Sequence, residues 1–280
     1  ISFLKSKFLL FHLPGFIIFF GFLYLFIPMF FNYDKSEIQN KLCKKHKLKC
    51  IVEGDVKYSF FPTPRIKINE IIINVFLNEK KQTIANIKNA SIKLSIKNLL
   101  SKEKHKYKEI KINNYDINLN IKNLNQYKNF FYKEKFFVPI FFENGRITFF
   151  EEKDYVAIIR DTNIDINFKE NSREIELRGN FLDDNLFFVF NSTNNDNKPS
   201  TNILFKLSNL NLLAKTNFFN DLESKDLLSG NILIKKDKHR FTGIFNYKSN
   251  ELQINKSNLK NNFLEGQISG KIVFNPYFNF

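Results

Sequence analysis

The stretch "CIVEGDVKYSFFPTPRIKINEIIINV", residues 50–75, alternates apolar and polar side chains until Phe60, Phe61, Pro62, Thr63 and Pro64 interrupt it. Across residues 48–60 the even positions Leu48, Cys50, Val52, Val56, Tyr58 and Phe60 are apolar, with Gly54 among them. Lys49, Glu53, Asp55, Lys57 and Ser59 face the other way, and Ile51 alone departs from the pattern. A period of two with one apolar and one polar face is the signature of a half-buried strand in an antiparallel sheet. Proline has no N–H to give a ladder, so "FFPTP" is predicted to end this strand and reverse the chain into a second one.

The same period recurs outward from this hairpin. Ala90, Ile92, Leu94 and Ile96 alternate with Ser91, Lys93, Ser95 and Lys97, and Ile117, Leu119 and Ile121 with Asn118, Asn120 and Lys122. Later come Ile164, Ile166 and Phe168; Ile175 and Leu177; Phe241, Phe245 and Tyr247; and Ile268, Ile272 and Phe274. Turn-forming clusters such as "KENSRE", "KSNE" and residues 191–200, "NSTNNDNKPS", separate them. Two phase slips interrupt the order: Ile66 and Ile68 are even but Ile71, Ile73, Val75 and Leu77 odd, and Ile110 and Ile112 are even but Tyr115, Ile117 and Leu119 odd. A slip of one residue would turn the apolar set to the wrong face, so a bulge is expected at each, with strong curvature. Helical interruptions are expected to be few: one turn in "IKNLLSKEK", an amphipathic stretch over 123–137, and a short helix over 219–230 closed by Gly230.

Upstream, residues 8–33 contain no Asp, Glu, Lys or Arg. About 24 residues of helix cover roughly 36 Å, enough to cross a bilayer with some tilt. Bulky residues follow where a cleavage site would need small ones, so residues 1–33 read as an uncleaved anchor. Lys5 and Lys7 precede it but Lys35, Lys41, Lys44, Lys45 and Lys47 follow, so a plain positive-inside count points away from an exported C-terminal part. Residues 34–47 read as a short amphipathic helix, with Asp34 and Glu37 at capping-box spacing. Residues 48–280 are the sheet domain.

Forty-three Lys plus Arg against 28 Asp plus Glu give a net charge of +15. Nearly all the cations are Lys spread along polar strand faces, which fits a solvated surface better than the Arg-rich readers of nucleic acid. His12, His46, His105 and His239 are scattered, and neither a nucleophile motif nor a phosphate-cradling glycine loop is present, so no enzyme and no cofactor are expected. Cys43, His46 and Cys50 would leave a structural zinc site one ligand short, so no metal is expected either.

Anchor, "VEGDVKYSFFPTPRIKINEIIINV", and then "NIKNASIKLSIKNLLSKEKHKYKEIKINNYDINLNI" follow one another in an order that resembles the N-terminal region of the AsmA family of Gram-negative envelope proteins. "FFENGRITFFEEKDYVAIIRDTNIDINF" is similar to that family's repeated strand pair, with Asn144-Gly145 as its turn. The likeness covers most of residues 1–170, and the family's long C-terminal half is missing, so the chain reads as a fragment or a short member.

The resemblance implies a mainly β fold: a transmembrane helix, then a long, curved antiparallel sheet forming an open groove. It implies a single-pass inner-membrane protein with a periplasmic C-terminal domain, related to bridge-like lipid transfer proteins of the TamB and YhdP type. Its partners would be phospholipids, the inner membrane and outer-membrane assembly proteins, with no nucleic acid. Periodicity alone leaves two ways to cover the apolar face, a second sheet as in a sandwich or an open trough offered to lipid, and the resemblance favours the trough. Val52, Val56, Tyr58, Ile92, Leu94, Ile96, Ile117, Leu119 and Ile121 are its candidate floor, or ordinary core on the sandwich reading. In an oxidising periplasm Cys43 and Cys50 are candidates for a disulfide; otherwise Cys50 is a small apolar residue on the inward face. Lipid carriage is the function expected, and the alternative is a non-enzymatic scaffold or regulator of outer-membrane protein assembly.

Overall fold

The computed structural model describes residues 7–43, 49–77, 80–123, 126–127, 138–195, 198–220, 227–274 and 278–279. The chain is mainly β, 65% strand, and its sheet is open, not closed into a barrel. Helix α1 (Lys7–Phe26) leads into a 3-10 turn, Ile27–Phe30. Pro28 has no N–H to give the carbonyl four residues earlier, so the α-helix yields to the tighter turn at this point. In α2 (Lys35–Cys43) the Asp34 carboxylate caps the N-terminus, accepting the Ser36 N–H at 3.3 Å, while Glu37 pairs with Lys102 at 2.7 Å. The rest of the expected helix, 44–47, and most of the amphipathic stretch 123–137 lie outside the described residues.

The chain divides into two compact units, Ile1–Ile112 and Asn113–Phe280. In the first, β1 (Lys49–Val52) and β2 (Val56–Ser59) both pair antiparallel with β3 (Arg65–Leu77), which pairs with β4 (Lys80–Leu94). The single strand expected over 48–60 is therefore two, broken at Gly54. A Cβ on Gly54 would lie 2.7 Å from the Asn69 carbonyl oxygen, so the two backbones approach closely there. Glu53 N–H donates to Glu70 O at 2.9 Å and Asn69 N–H to Asp55 O at 3.1 Å, stitching the break to β3.

The first phase slip falls opposite that break. Glu70 adopts φ 50, and its left-handed backbone moves the buried set from Ile66 and Ile68 to Ile71 and Val75. The pairing passes through without offset, from Asn69↔Asn89 to Ile71↔Ile87, and the register shift comes later, between Ile73 and Asn74. Leu99 and Leu100 form the turn after β4, as expected.

The division between the units falls within β5 (Tyr107–Asn120). The second unit continues through β6 (Ile140–Glu151), β7 (Asp154–Lys169), β8 (Ser172–Phe181), β9 (Asp184–Asn195), β10 (Lys198–Leu207), β11 (Leu212–Asn220), β12 (Leu228–Lys236), β13 (His239–Lys248) and β14 (Glu251–Lys260). From β6 to β14 each strand pairs antiparallel with the next. Short β15 (Glu265–Gly266) and β16 (Gly270–Phe274) both pair with β14, and β17 (Phe278–Asn279) with β16.

Three expectations need correction in this unit. Asn144-Gly145 is not a turn but lies inside β6; the chain reverses at Glu152-Lys153. Gly230 is not a helix cap but a strand residue in β12, placed where a side chain would strike the Asn217 carbonyl of β11. Residues 191–195 and 198–200 belong to strands paired from Asn195↔Lys198 to Leu186↔Leu207 along β9 and β10.

The second phase slip is a three-strand feature. Asn114, Asn144 and Asp161 all have positive φ, a conformation their short polar side chains tolerate better than most. Each immediately precedes an inward position: Tyr115, Gly145 and Thr162. The Tyr115 ring occupies the space a side chain at 145 would need, and its hydroxyl donates to Thr162 O at 3.1 Å and lies 2.7 Å from Thr162 Oγ1. Burial pushes the Tyr115 hydroxyl up to about 12, against the opposing effect of the Thr162 bond, so it stays protonated as a donor.

Candidate functional site

The sequence-derived floor residues separate into two environments. In the first unit Ile92 is fully buried (0% exposed), Leu94, Val52 and Tyr58 are buried, and Val56 is half-buried. Direct cross-strand pairs Ile66↔Ile92, Tyr58↔Ile66 and Val56↔Ile68 put these side chains on one face. The protein covers part of that face itself. The Tyr58 hydroxyl donates to Leu25 O at 2.9 Å, Phe26 packs on Phe60 with ring centroids 4.4 Å apart, and Tyr33 stacks on Tyr58 at 6.4 Å. Burial, with Tyr24 nearby, pushes the Tyr58 hydroxyl up to about 12, so it too remains a donor. Ile96 is not on the face at all: it is 59% exposed, in the loop beyond β4.

Cys50 is buried and disulfide-bonded. The chain's other cysteine is Cys43, whose side chain lies outside the described residues.

In the second unit Ile117 and Leu119 are half-buried on β5, and Ile121 half-buried in the 3-10 turn Ile121–Asn123. A larger apolar surface lies further along. Directly opposed residues share a face, so the register can be followed from strand to strand. One row runs Ile166, Ile175, Phe190, Ile203, Thr216 and Ile232 from β7 to β12; the next runs Ile164, Leu177, Phe188, Phe205, Ala214, Ile234 and Phe241 from β7 to β13. All but Ile164 keep partial exposure. At one end this face closes into a buried cluster, Ile159, Leu186 and Leu207, with Phe181, Phe188 and Phe205 against it.

The opposite face of the same strands is mixed, with Phe187, Val189, Leu204, Leu213 and Leu233 set among polar residues. Asn191, Asn202, Asn217 and Asn231 stand directly opposite one another across β9 to β12, and Lys206, Lys215, Lys235 and Arg240 lie on the same side. A cavity of about 490 Å³ opens against that side, between Val189, Leu204 and Leu233 and framed by these asparagines and Lys215.

Most of the second-unit rows escape sequence reading. "LFFVF", "NILFKL" and "NILIKK" carry apolar residues in both phases, so periodicity cannot tell which of Phe187 and Phe188, or Ile232 and Leu233, belongs to which face. The signal that does is the partner strand: Ile232 sits opposite Thr216, and Leu233 opposite Lys215.

Near the N-terminus, residues His12–Phe30 form an apolar span long enough to cross a membrane, with almost none of it buried in the protein. An apolar N-terminal helix compatible with a single-pass anchor, leading into an open antiparallel sheet, defines the class: a β-sheet protein with an apolar N-terminal helix. The AsmA family model matches residues 5–129, so over that stretch the chain is similar to the AsmA family. No curated protein and no solved structure matches the chain. That similarity is consistent with a membrane-associated role in outer-membrane assembly or lipid transport.

Proposed function

We propose that this is an inner-membrane-anchored protein of a Gram-negative envelope whose periplasmic sheet carries phospholipid acyl chains along an apolar face. The observation that carries this reading is the pair of in-register apolar rows from β7 to β13, left partly exposed across adjacent strands. Burial of each acyl methylene is worth about 0.8 kcal/mol. A chain sliding from Phe190 to Ile203 to Ile232 exchanges one apolar contact for another without entering water, so the path has a low barrier. Such a mechanism needs neither a reactive residue nor a cofactor. We assign the carrying face to the second unit because the residues of the first unit's equivalent, around Ile92, are buried.

Native mass spectrometry of the detergent-extracted full chain should find co-purifying phospholipid. Adjacent residues of β12 then decide the face: Ile232→Asp should remove the lipid and Leu233→Asp, on the cavity side, should leave it. Lipid lost only with Leu233→Asp would transfer the site to the mixed face, and no bound lipid in the parent protein would sink the carrier reading.

A further inference from the structure

Bilayer-spanning helices usually emerge from the membrane before their soluble domain begins, but here the sheet's loops reach back along the helix. Tyr24 lies within the apolar span that ends at Phe30, roughly 10 Å along the axis from that end. Its hydroxyl donates to Ile96 O at 2.7 Å and accepts the Leu99 N–H at 3.2 Å, tying the loop after β4 to this depth. One and two residues further on, Leu25 accepts the Tyr58 hydroxyl and Phe26 meets Phe60, tying the β2–β3 turn to the same level.

The residues flanking these ties are large, apolar and uncovered. Phe61 is 75% exposed, Ile96 59% and Leu100 54%. We infer that these two loop tips are immersed in the leaflet through which α1 emerges, with Phe61, Ile96 and Leu100 among the lipid chains near the headgroup boundary. The occupant of this patch is the bilayer that holds α1, because each tip is bonded to a helix residue inside the span. Phe61 exposed to water would be costly, whereas aromatic and aliphatic side chains are favoured at the membrane boundary. Three of the backbone polar atoms that accompany them inward are satisfied within the protein, which favours immersion in lipid: Tyr24 serves Ile96 O and Leu99 N–H, and the Ser59 hydroxyl donates to Phe61 O, while exposed Lys97 and Asn98 can reach the headgroups. The first unit thus sits partly in the membrane, held by a helix and two loops.

This inference rests on α1 spanning the bilayer, as the proposed function has it, and the test separates the two. The chain has no tryptophan, so single introduced tryptophans report without background. The full-length variants Phe19→Trp (within the span), Phe61→Trp, Leu100→Trp and Tyr155→Trp (exposed on β7) are reconstituted into phosphatidylethanolamine–phosphatidylglycerol vesicles carrying brominated acyl chains. Expected is bromine quenching and blue-shifted emission for Phe19→Trp, Phe61→Trp and Leu100→Trp, with water-like, unquenched emission for Tyr155→Trp. Quenching of Phe19→Trp with neither loop variant quenched overturns the immersion of the tips and leaves the anchor standing. Absence of quenching at Phe19→Trp overturns both.

Discussion

The two units build the same kind of two-faced antiparallel strand and treat the apolar face in opposite ways. In the first, Ile66, Ile68, Ile92 and Leu94 are buried, and Tyr33, Leu25 and Phe26 contribute to the cover. In the second, the rows through Phe190, Ile203 and Ile232 and through Phe188, Phe205 and Ile234 remain partly exposed. Alternation along a strand creates an apolar face but does not choose what lies against it. In the first unit the chain supplies part of that cover from the end of its own helix, which makes this face structural. In the second the face remains available, which makes it the better place for a ligand.

Charge substitutions break the comparison most directly. Ile92→Asp puts a carboxylate where no solvent reaches, and should cost about 4 kcal/mol or more of stability, read as a lower denaturant midpoint. If that variant keeps its midpoint, the first unit's face is not a sealed core. Ile232→Asp, on a half-open face, should shift the midpoint far less. Its effect should instead appear as roughly a tenfold fall in co-purified phospholipid, equivalent to about 1.4 kcal/mol of affinity.

Sequence reading reached the sheet, the apolar N-terminal helix, most hairpins and both phase slips because each leaves a local mark: period two, charge-free length, turn residues, a change of parity. What it could not reach depends on residues distant in the chain. Asn144-Gly145 has the composition of a turn, yet it is strand because the ring of Tyr115, some thirty residues earlier, needs the space above Gly145. Gly54 looks like one tolerated lapse in a strand and is in fact a break shaped by Asn69. Val52, Tyr58, Ile92 and Leu94 were correctly legible as one inward face, but the cover supplied by Leu25, Phe26 and Tyr33 has no sequence signature. The candidate floor accordingly joined positions that the fold treats differently.

Two smaller changes sharpen the contrast inside the second unit, at its buried polar contacts. Tyr115→Phe removes the bonds to Thr162 O and Oγ1 across three kinked strands and should cost about 1–2 kcal/mol. A thermal melt that does not move would deny the staple any energetic role. Asp184 is a pH-dependent case. Burial raises its pKa, but N–H groups from Asn209 (2.7 Å), Leu210 (2.9 Å), Asn185 and Ser208 outweigh that and hold it below the usual carboxylate range. A depressed folded-state pKa gives stability that is fully present above the unfolded value, near 3.9, and is lost as pH falls through the folded one. Asp184→Asn should therefore melt below the parent at pH 7, with the gap closing on acidification through that range. A gap unchanged by acid would mean the carboxylate's charge is not what holds the Ser208–Asn211 turn.

From β6 to β14 every strand bonds to its immediate successor in the chain, with no crossover. Such an arrangement has no fixed size. One β-hairpin can be spliced in or cut out at a surface turn, changing the span by about two strand widths, roughly 10 Å, while leaving every other pairing intact. Reach is then a quantity that insertions and deletions can tune in steps, as in repeat arrays whose stability comes from neighbours.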